Sequence, residues 1–511
     1  GAGAAAAAGA AAPKLTVVVS RHGVRTPFSP TGGDLAADTF SRYSHRAGAF
    51  PVTAEAWGVT GSVAGQPLTD HGKRVIERMG AYFRLEYPEL VGPELGGGAE
   101  SCHALFFYAD DCLRDFQTAT EFMKGMAPEC SDVLNITHAD ATALFNQGGY
   151  QTEACGLASR DAMDSLLGGS ANNYAAYNGA HASFVSDVQD VVDCCADTAL
   201  CAGVGSDADR AEEENRDTAC TLSGVPSHYT GQYYSVINGS TPLAGYFASF
   251  FTLAALNNMT LGLPGARRTL EEIIGWYHDS SSTLQVADSS FTSPSFASTL
   301  ASHLVASMQQ AATGKNIDAL AHGPEASFVY MAGHDTNLVL LRTLLDLRWL
   351  AEGWHVNDPG PGGMLIFELF DKDDDSDEPT VAISFQIAQP KKIRNAEKLT
   401  KLSPPSRTTV ALPGCGGLIR CPLSNFSTIV LDAVRPECVG IPLLRSWVDT
   451  HRHASPGQRT AWGLVLGAVA LVAVTALVVA PLTLYLRPSG RTAEPSNRDR
   501  IRTGLLAPGD N

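Results

Sequence analysis

Basic residues are in short supply in this sequence. Lys and Arg number 36 against 53 Asp and Glu, a formal charge of −17 over 511 residues. A surface with that balance repels a phosphate backbone, so nucleic acid is not an expected partner. No internal repeat is found, and at this length two folded units with appendages are expected. Metal motifs are missing as well. The acidic run DKDDDSDE, residues 371–378, has neither the Gly nor the closing Glu of an EF-hand loop and reads as a solvated hairpin turn. Cys194, Cys195, Cys201 and Cys220 lack the two-residue gap that thiolate zinc sites favour, so disulfides are expected instead. His451 and His453 have no carboxylate or cysteine close by and read as linker.

Charge is also absent from residues 462–486, WGLVLGAVALVAVTALVVAPLTLYL. That run is long enough to cross a bilayer as one helix, with Trp462 and Tyr485 at the interfaces. The tail at 487–511 carries Arg487, Arg491, Arg498, Arg500 and Arg502, which favours a cytoplasmic tail. Four acceptor triplets, at Asn135, Asn238, Asn258 and Asn425, and eleven cysteines all precede the span and suit an oxidising compartment. The expectation is a single-pass type I membrane protein whose folded part is lumenal, endosomal or lysosomal, or extracellular. That topology expects a secretory signal ahead of the Ala/Gly run at 1–12; a tail-anchored protein facing the cytosol is the weaker alternative. Eleven cysteines cannot all pair within one chain, and Cys415 with Cys421, across CGGLIRC, is the pair most readily joined.

Three strand-then-helix units organise the rest. LTVVVS (15–20), ALFFYA (104–109) and SFVYMA (327–332) read as buried strands. After the first, LTDHGKRVIERMGAYFRLEYPEL spaces Val75, Ile76, Met79, Tyr82 and Phe83 as a helical stripe, with Thr69 or Asp70 as N-cap and Pro88 as stop. After the second, Leu113, Phe116, Thr120 and Met123 fall on one helical face, and Asp110 or Asp111 should cap that helix and place Arg114 in its first turn. GHDTNLVLLRTLLDL follows the third, and the sheet continues through 363–370 and 380–387. The fold expected is α/β: a three-layer core around a mixed, mostly parallel sheet, with an inserted helical cap and the C-terminal membrane helix. The divisions are 1–14 low-complexity, 15–126 and 326–440 core, 127–325 cap with helices near 180–195, 241–256 and 297–312, 441–461 linker, 462–486 span and 487–511 tail.

Ionisable residues cluster where the three strands end: Arg21, His22 and Arg25, then Arg114, then His334 and Asp335. In open α/β sheets such ends converge on a ligand crevice. Three arginines and two histidines would repel one another unless an anion joined them, and guanidinium groups match phosphoryl oxygens with paired hydrogen bonds. Binding alone does not require a histidine inside that cradle. A neutral imidazole can attack phosphorus and split hydrolysis into two displacements, which makes His22 the expected nucleophile. Arg21, Arg25, Arg114 and His334 would bind and stabilise the phosphoryl group without a metal ion or other cofactor. Asp335 would supply a proton to the leaving group, so an acidic rate optimum is expected.

With these residues in place the chain resembles the histidine acid phosphatases, the branch that includes lysosomal and prostatic acid phosphatases and the histidine phytases. RHGVRTP (21–27) and GHDTN (333–337) look like the two signature motifs; LTDHG (68–72) and DDCLR (110–114) look like the intermediate ones. The resemblance implies an α/β core with a helical cap, covalent catalysis by His22, phosphate binding by the three arginines and His334, and Asp335 as proton donor. The single-span arrangement is similar to membrane-bound members. The partners expected are a small phosphate monoester and the membrane, with a homodimer left open. A phytase is the second reading, against which the acidic DADRAEEENRD at 207–217 argues, and a catalytically silent glycosylated surface protein is the third.

Overall fold

Alternation and burial turn three short apolar runs into the centre of one sheet. The structure, a computed structural model, describes residues 12–452 apart from 31–32, 92–101, 146–154, 203–219, 233–234, 260–268, 277, 279–291 and 374–375. Its strands are β1 (Leu15–Arg21), β2 (Leu105–Ala109), β3 (Ile136–Thr137), β4 (His228–Gln232), β5 (Ser235–Asn238), β6 (Phe328–Gly333), β7 (Met364–Phe370), β8 (Thr380–Ile387), β9 (Ser406–Thr409) and β10 (Arg420–Pro422). The main sheet runs β10–β8–β7–β1–β6–β2–β3, with β9 also on β8, while β4 and β5 form a separate hairpin. Every residue of β1, β6 and β7 is buried, as a strand covered on both faces requires.

The sheet is mixed, as expected, but it is not mostly parallel. Three pairings are parallel (β1–β6, β2–β6, β2–β3) and four antiparallel (β1–β7, β7–β8, β8–β9, β8–β10). The short link between β7 and β8 makes that pair antiparallel, whereas β7 lies antiparallel to β1 although a long stretch of chain separates them. The acidic 371–378 run, whose residues 374–375 lie outside the described set, sits between β7 and β8, whose register is antiparallel.

Helices cover both faces. On one, Phe83 and Phe122 pack on Phe328 and Tyr330, Phe122 stacking on Tyr330 at 4.3 Å between centroids. They come from the Asp70–Glu86 and Leu113–Met126 helices. The two helices touch closely at Gly125, where an added Cβ would lie 1.9 Å from the Glu77 carbonyl oxygen. On the other face, His303 of the Ser298–Thr313 helix meets Tyr108 of β2 edge-on. The expected helices of the long middle segment occur at Ala182–Val192, Ser240–Leu256 and Ser298–Thr313. From Ser240–Leu256, Phe247, Phe250 and Phe251 pack on Phe40, Phe50 and Trp57, roofing the loop that leaves β1.

Thr69 caps the first helix by accepting from the Gly72 N–H at 2.8 Å, and the helix stops at Glu86, ahead of Pro88. The second helix departs from expectation. Cys112 is its N-cap and offers no side-chain cap bond, because the Asp110 carboxylate is taken up by the Asp111 N–H and by His334. Its buried face carries Arg114, Asp115, Thr118, Phe122 and Met123, whereas Leu113 and Phe116 are exposed. Charged residues held inward for a site occupy positions that a purely apolar stripe would have filled.

Disulfides join Cys102–Cys130, Cys155–Cys438, Cys194–Cys195, Cys201–Cys220 and Cys415–Cys421. The expected 415–421 bridge is present, and Cys112 is the cysteine in no bridge. His451 stacks on Trp447 and hydrogen-bonds to its carbonyl oxygen at 2.8 Å. His453, the acidic run at 207–217, the Ala/Gly run at 1–11 and the whole of 462–511, with the expected span and tail, lie outside the described residues. Among the described residues no helix is long and apolar enough to cross a membrane.

Candidate active site

β1 and β6 run side by side in parallel with Arg21 opposite Gly333, so their ends deliver Arg21–His22 and His334–Asp335 to the same place. The His22 N–H donates to the Gly333 carbonyl at 2.8 Å and extends the ladder by one rung. β2, on the other side of β6, ends at Ala109 and leads into Asp110 and the helix bearing Arg114. The loop after His22 is pinned by the first helix, where an added Cβ on Gly72 would lie 2.0 Å from the Val24 carbonyl oxygen. Only glycine permits that approach.

The six residues expected to form the site are brought together through direct contacts. Arg25 Nε lies 3.4 Å from His22 Nε2. Arg114 Nη2 lies 3.3 Å from His334 Nδ1. Arg21 Nη2 pairs with Asp335 Oδ2 at 3.0 Å, and its Nη1 donates to the Pro359 carbonyl at 2.9 Å. The His22 and His334 rings stand edge to face, 5.7 Å between centroids. Phe28 underlies two of the cations, its ring 4.5 Å from the Arg25 guanidinium and 5.7 Å from that of Arg114, the geometry in which an aromatic face stabilises positive charge. The Tyr246 hydroxyl, from the roofing helix, donates to the Phe28 carbonyl and holds that loop.

Hydrogen bonding fixes both imidazoles. His22 Nδ1 lies 2.9 Å from the Gly23 carbonyl oxygen, which can only accept, so Nδ1 carries the proton and Nε2 keeps its lone pair. Burial, then the charges of Arg25, Arg114 and Arg21 and finally His334, lowers the His22 pKa well below the ordinary 6.5. The ring therefore stays neutral in acid. His334 is oriented the other way round. A guanidinium can only donate to its Nδ1, so Nε2–H donates to Asp110 Oδ2, 2.7 Å away. The His334 N–H donates to Asn337 Oδ1 at 2.8 Å, and Asn337 in turn donates to the Phe145 carbonyl.

Three neighbours escaped the sequence reading. Asp110 was expected only as a helix cap, yet it orients His334. Asp115 is fully buried and accepts no hydrogen bond at either oxygen; its Oδ2 lies 3.4 Å from His334 Nε2 and 3.8 Å from Arg114 Nε. Burial pushes its carboxyl well above the usual carboxylate range, against the pull of Arg114. Asp358 is also buried with neither carboxylate oxygen hydrogen-bonded, and burial raises its pKa to about 7 while Arg21 opposes and Asp335 adds to the rise. The Asp-Asp pair directly behind a strand was a usable signal for Asp110, whereas Asp358 sits in a loop with no pattern to mark it.

Three guanidiniums and a second histidine around a buried neutral imidazole, all at strand ends of a mixed sheet, define a hydrolase of phosphate esters. Residues 14–386 match the histidine phosphatase superfamily, branch 2, and the chain belongs to that family. It is a histidine-type phosphatase. It is similar to phytase AppA of Escherichia coli, 28% identical over 439 residues that cover 83% of this chain and 92% of the relative. It is also similar to the glucose-1-phosphatase of Salmonella typhimurium, 23% identical over 448 residues that cover 82% and 92%. Among solved structures, the Citrobacter braakii phytase superposes with a TM-score of 0.62 at 22% identity, covering 84% of this chain and all of that one, which supports the fold.

Proposed function

We propose that this chain hydrolyses phosphate monoesters through a covalent phosphohistidine on His22. The observation that carries the reading is the His22 Nδ1 contact with the Gly23 carbonyl, which leaves Nε2 as a lone-pair nucleophile beside Arg25. In the first displacement Nε2 attacks phosphorus in line, the P–O bond to the leaving oxygen breaks, and Asp335 gives that oxygen its proton. In the second, water attacks the phosphohistidine, its proton returns to the Asp335 carboxylate, the P–N bond breaks and inorganic phosphate leaves. Arg21, Arg25, Arg114 and His334 hold the phosphoryl oxygens and stabilise the charge that accumulates on them. The lowered pKa of His22 supports work at acidic pH.

The same proposal places the enzyme on the lumenal or extracellular side of a membrane, anchored by residues 462–486 with 487–511 in the cytoplasm. Five disulfides suit an oxidising compartment, and the acceptor residues Asn135, Asn238, Asn258 and Asn425 are all exposed. A second reading, hydrolysis of inositol polyphosphates, is favoured by the 28% identical relative, a phytase. Phosphate release by the full chain, wild type beside His22→Ala, on a panel of monoesters and on phytate across pH, tests both. Equal rates for the two proteins would remove the enzyme reading, and a strong preference for phytate would promote the second.

A further inference from the structure

Around His334 and its orienting partner Asp110 lie two further donors, Cys112 and Asp115, to which the phosphate chemistry gives no part. Asp110, Cys112, Asp115 and His334 each present one ligand atom, and these four atoms lie within 4.8 Å of one another. Asp110, Asp115 and His334 are buried, whereas Cys112 is half-buried and opens the group toward solvent. Four carboxylate, thiol and imidazole donors at this spacing need only a small contraction to surround one ion.

Clusters of acids often mean nothing more than a solvated surface, but Asp115 does not fit that account. Its side chain is inaccessible to solvent, both oxygens accept no hydrogen bond, and Oδ2 faces His334 Nε2 across 3.4 Å. A buried carboxylate normally has its lone pairs filled, since leaving them empty costs about 1–3 kcal/mol or more. Orienting His334 does not explain it either, because Asp110 already takes the Nε2–H at 2.7 Å. Cys112 is the only cysteine outside the five disulfides and occupies the N-cap position without making a cap bond.

We propose that Asp110, Cys112, Asp115 and His334 bind one divalent cation of the zinc class. One sulfur, one imidazole nitrogen and two carboxylate oxygens make a four-coordinate set that suits zinc or cobalt, whereas magnesium and calcium require oxygen donors throughout. Binding releases the thiol proton of Cys112 and the proton that burial favours on Asp115 to solvent, and moves the His334 proton from Nε2 to Nδ1, which turns Arg114 Nη2 away from that nitrogen. Three anionic ligands then balance the cation and the neighbouring Arg114. Occupancy ties the second histidine of the phosphate cradle to the metal content of the compartment.

The test is titration of the full chain with cobalt(II) at neutral pH. One equivalent should produce a near-ultraviolet thiolate-to-cobalt absorption band that zinc bleaches. Cys112→Ser should abolish the band while keeping the circular dichroism and the metal-free phosphatase rate of wild type, and Asp115→Asn should weaken cobalt binding by at least tenfold. Alkylation of Cys112 in the wild-type chain provides a readout that needs no variant: zinc should slow it at least tenfold. Absence of the band, a band unchanged in Cys112→Ser, or alkylation indifferent to zinc would each overturn the site.

Discussion

Asp110 Oδ2 accepts a 2.7 Å hydrogen bond from His334 Nε2, although the two residues stand 224 positions apart in the chain. Both are buried, and the bond fixes which His334 nitrogen faces Arg114. Exchanging the carboxylate for an amide removes the charge from this bond, and hydrogen bonds to charged groups contribute about 1.5–3 kcal/mol. Asp110→Asn should therefore lower kcat/KM about tenfold to a hundredfold. Steady-state kinetics check it, and an unchanged kcat/KM would show that His334 needs no orienting partner.

Asp335 acts on the leaving oxygen and then on water, so its loss should separate substrates by leaving group. Asp335→Asn should slow alkyl phosphates by about 10²–10⁴. With an aryl phosphate, whose phenolate leaves without a proton, a burst of phenol equal to the enzyme should precede slow turnover. Stopped-flow absorbance would reveal the burst, and a uniform loss on both substrates without one would assign proton donation elsewhere.

His22 must be neutral to attack. A lowered pKa extends the neutral form to lower pH, so the acid limb of kcat/KM should fall well below the ordinary histidine value of 6.5. After burial, Arg25 is the largest cause of that lowering. Arg25→Gln, besides reducing the rate, should move the acid limb upward toward 6.5, and a pH–rate profile with an unmoved limb would contradict the electrostatic account.

Asp358 makes a claim on stability. Its carboxyl titrates at about 7 in the fold against 3.8 as the ordinary value, so the folded state binds this proton more tightly than the unfolded state. The resulting stabilisation is complete below the ordinary value and is lost as pH rises through about 7, on the order of 4 kcal/mol across that window. Asp358→Asn cannot lose a proton there. Its Tm should fall less than that of wild type between pH 4 and 8, and calorimetry showing parallel curves would refute the assignment.

Much of this arrangement was legible because strands and polar junctions leave local marks. β1, β2 and β6 begin and end within one residue of their apolar runs, and the residues after them carry the site. The illegible parts depend on partners distant in sequence. The antiparallel half of the sheet follows from which strand β7 chooses as neighbour, and no local pattern encodes that choice. The inward face of the Leu113–Met126 helix was misread because Arg114 and Asp115 are buried for each other and for His334, so hydropathy pointed at Leu113 and Phe116 instead. Asp358 carried no mark at all, since its neighbours Arg21 and Asp335 are supplied by other strand ends.

The central claim is that a phosphoryl group is transferred to His22 Nε2 before water receives it. Rapid acid-free quenching of the full chain during turnover of a ³²P-labelled monoester, followed by peptide mapping, tests this directly. The account predicts label on His22, alkali-stable and acid-labile, accumulating further in Asp335→Asn with an aryl substrate and absent from His22→Ala. Turnover by wild type without labelled histidine at any quench time, or label on another residue, would contradict it.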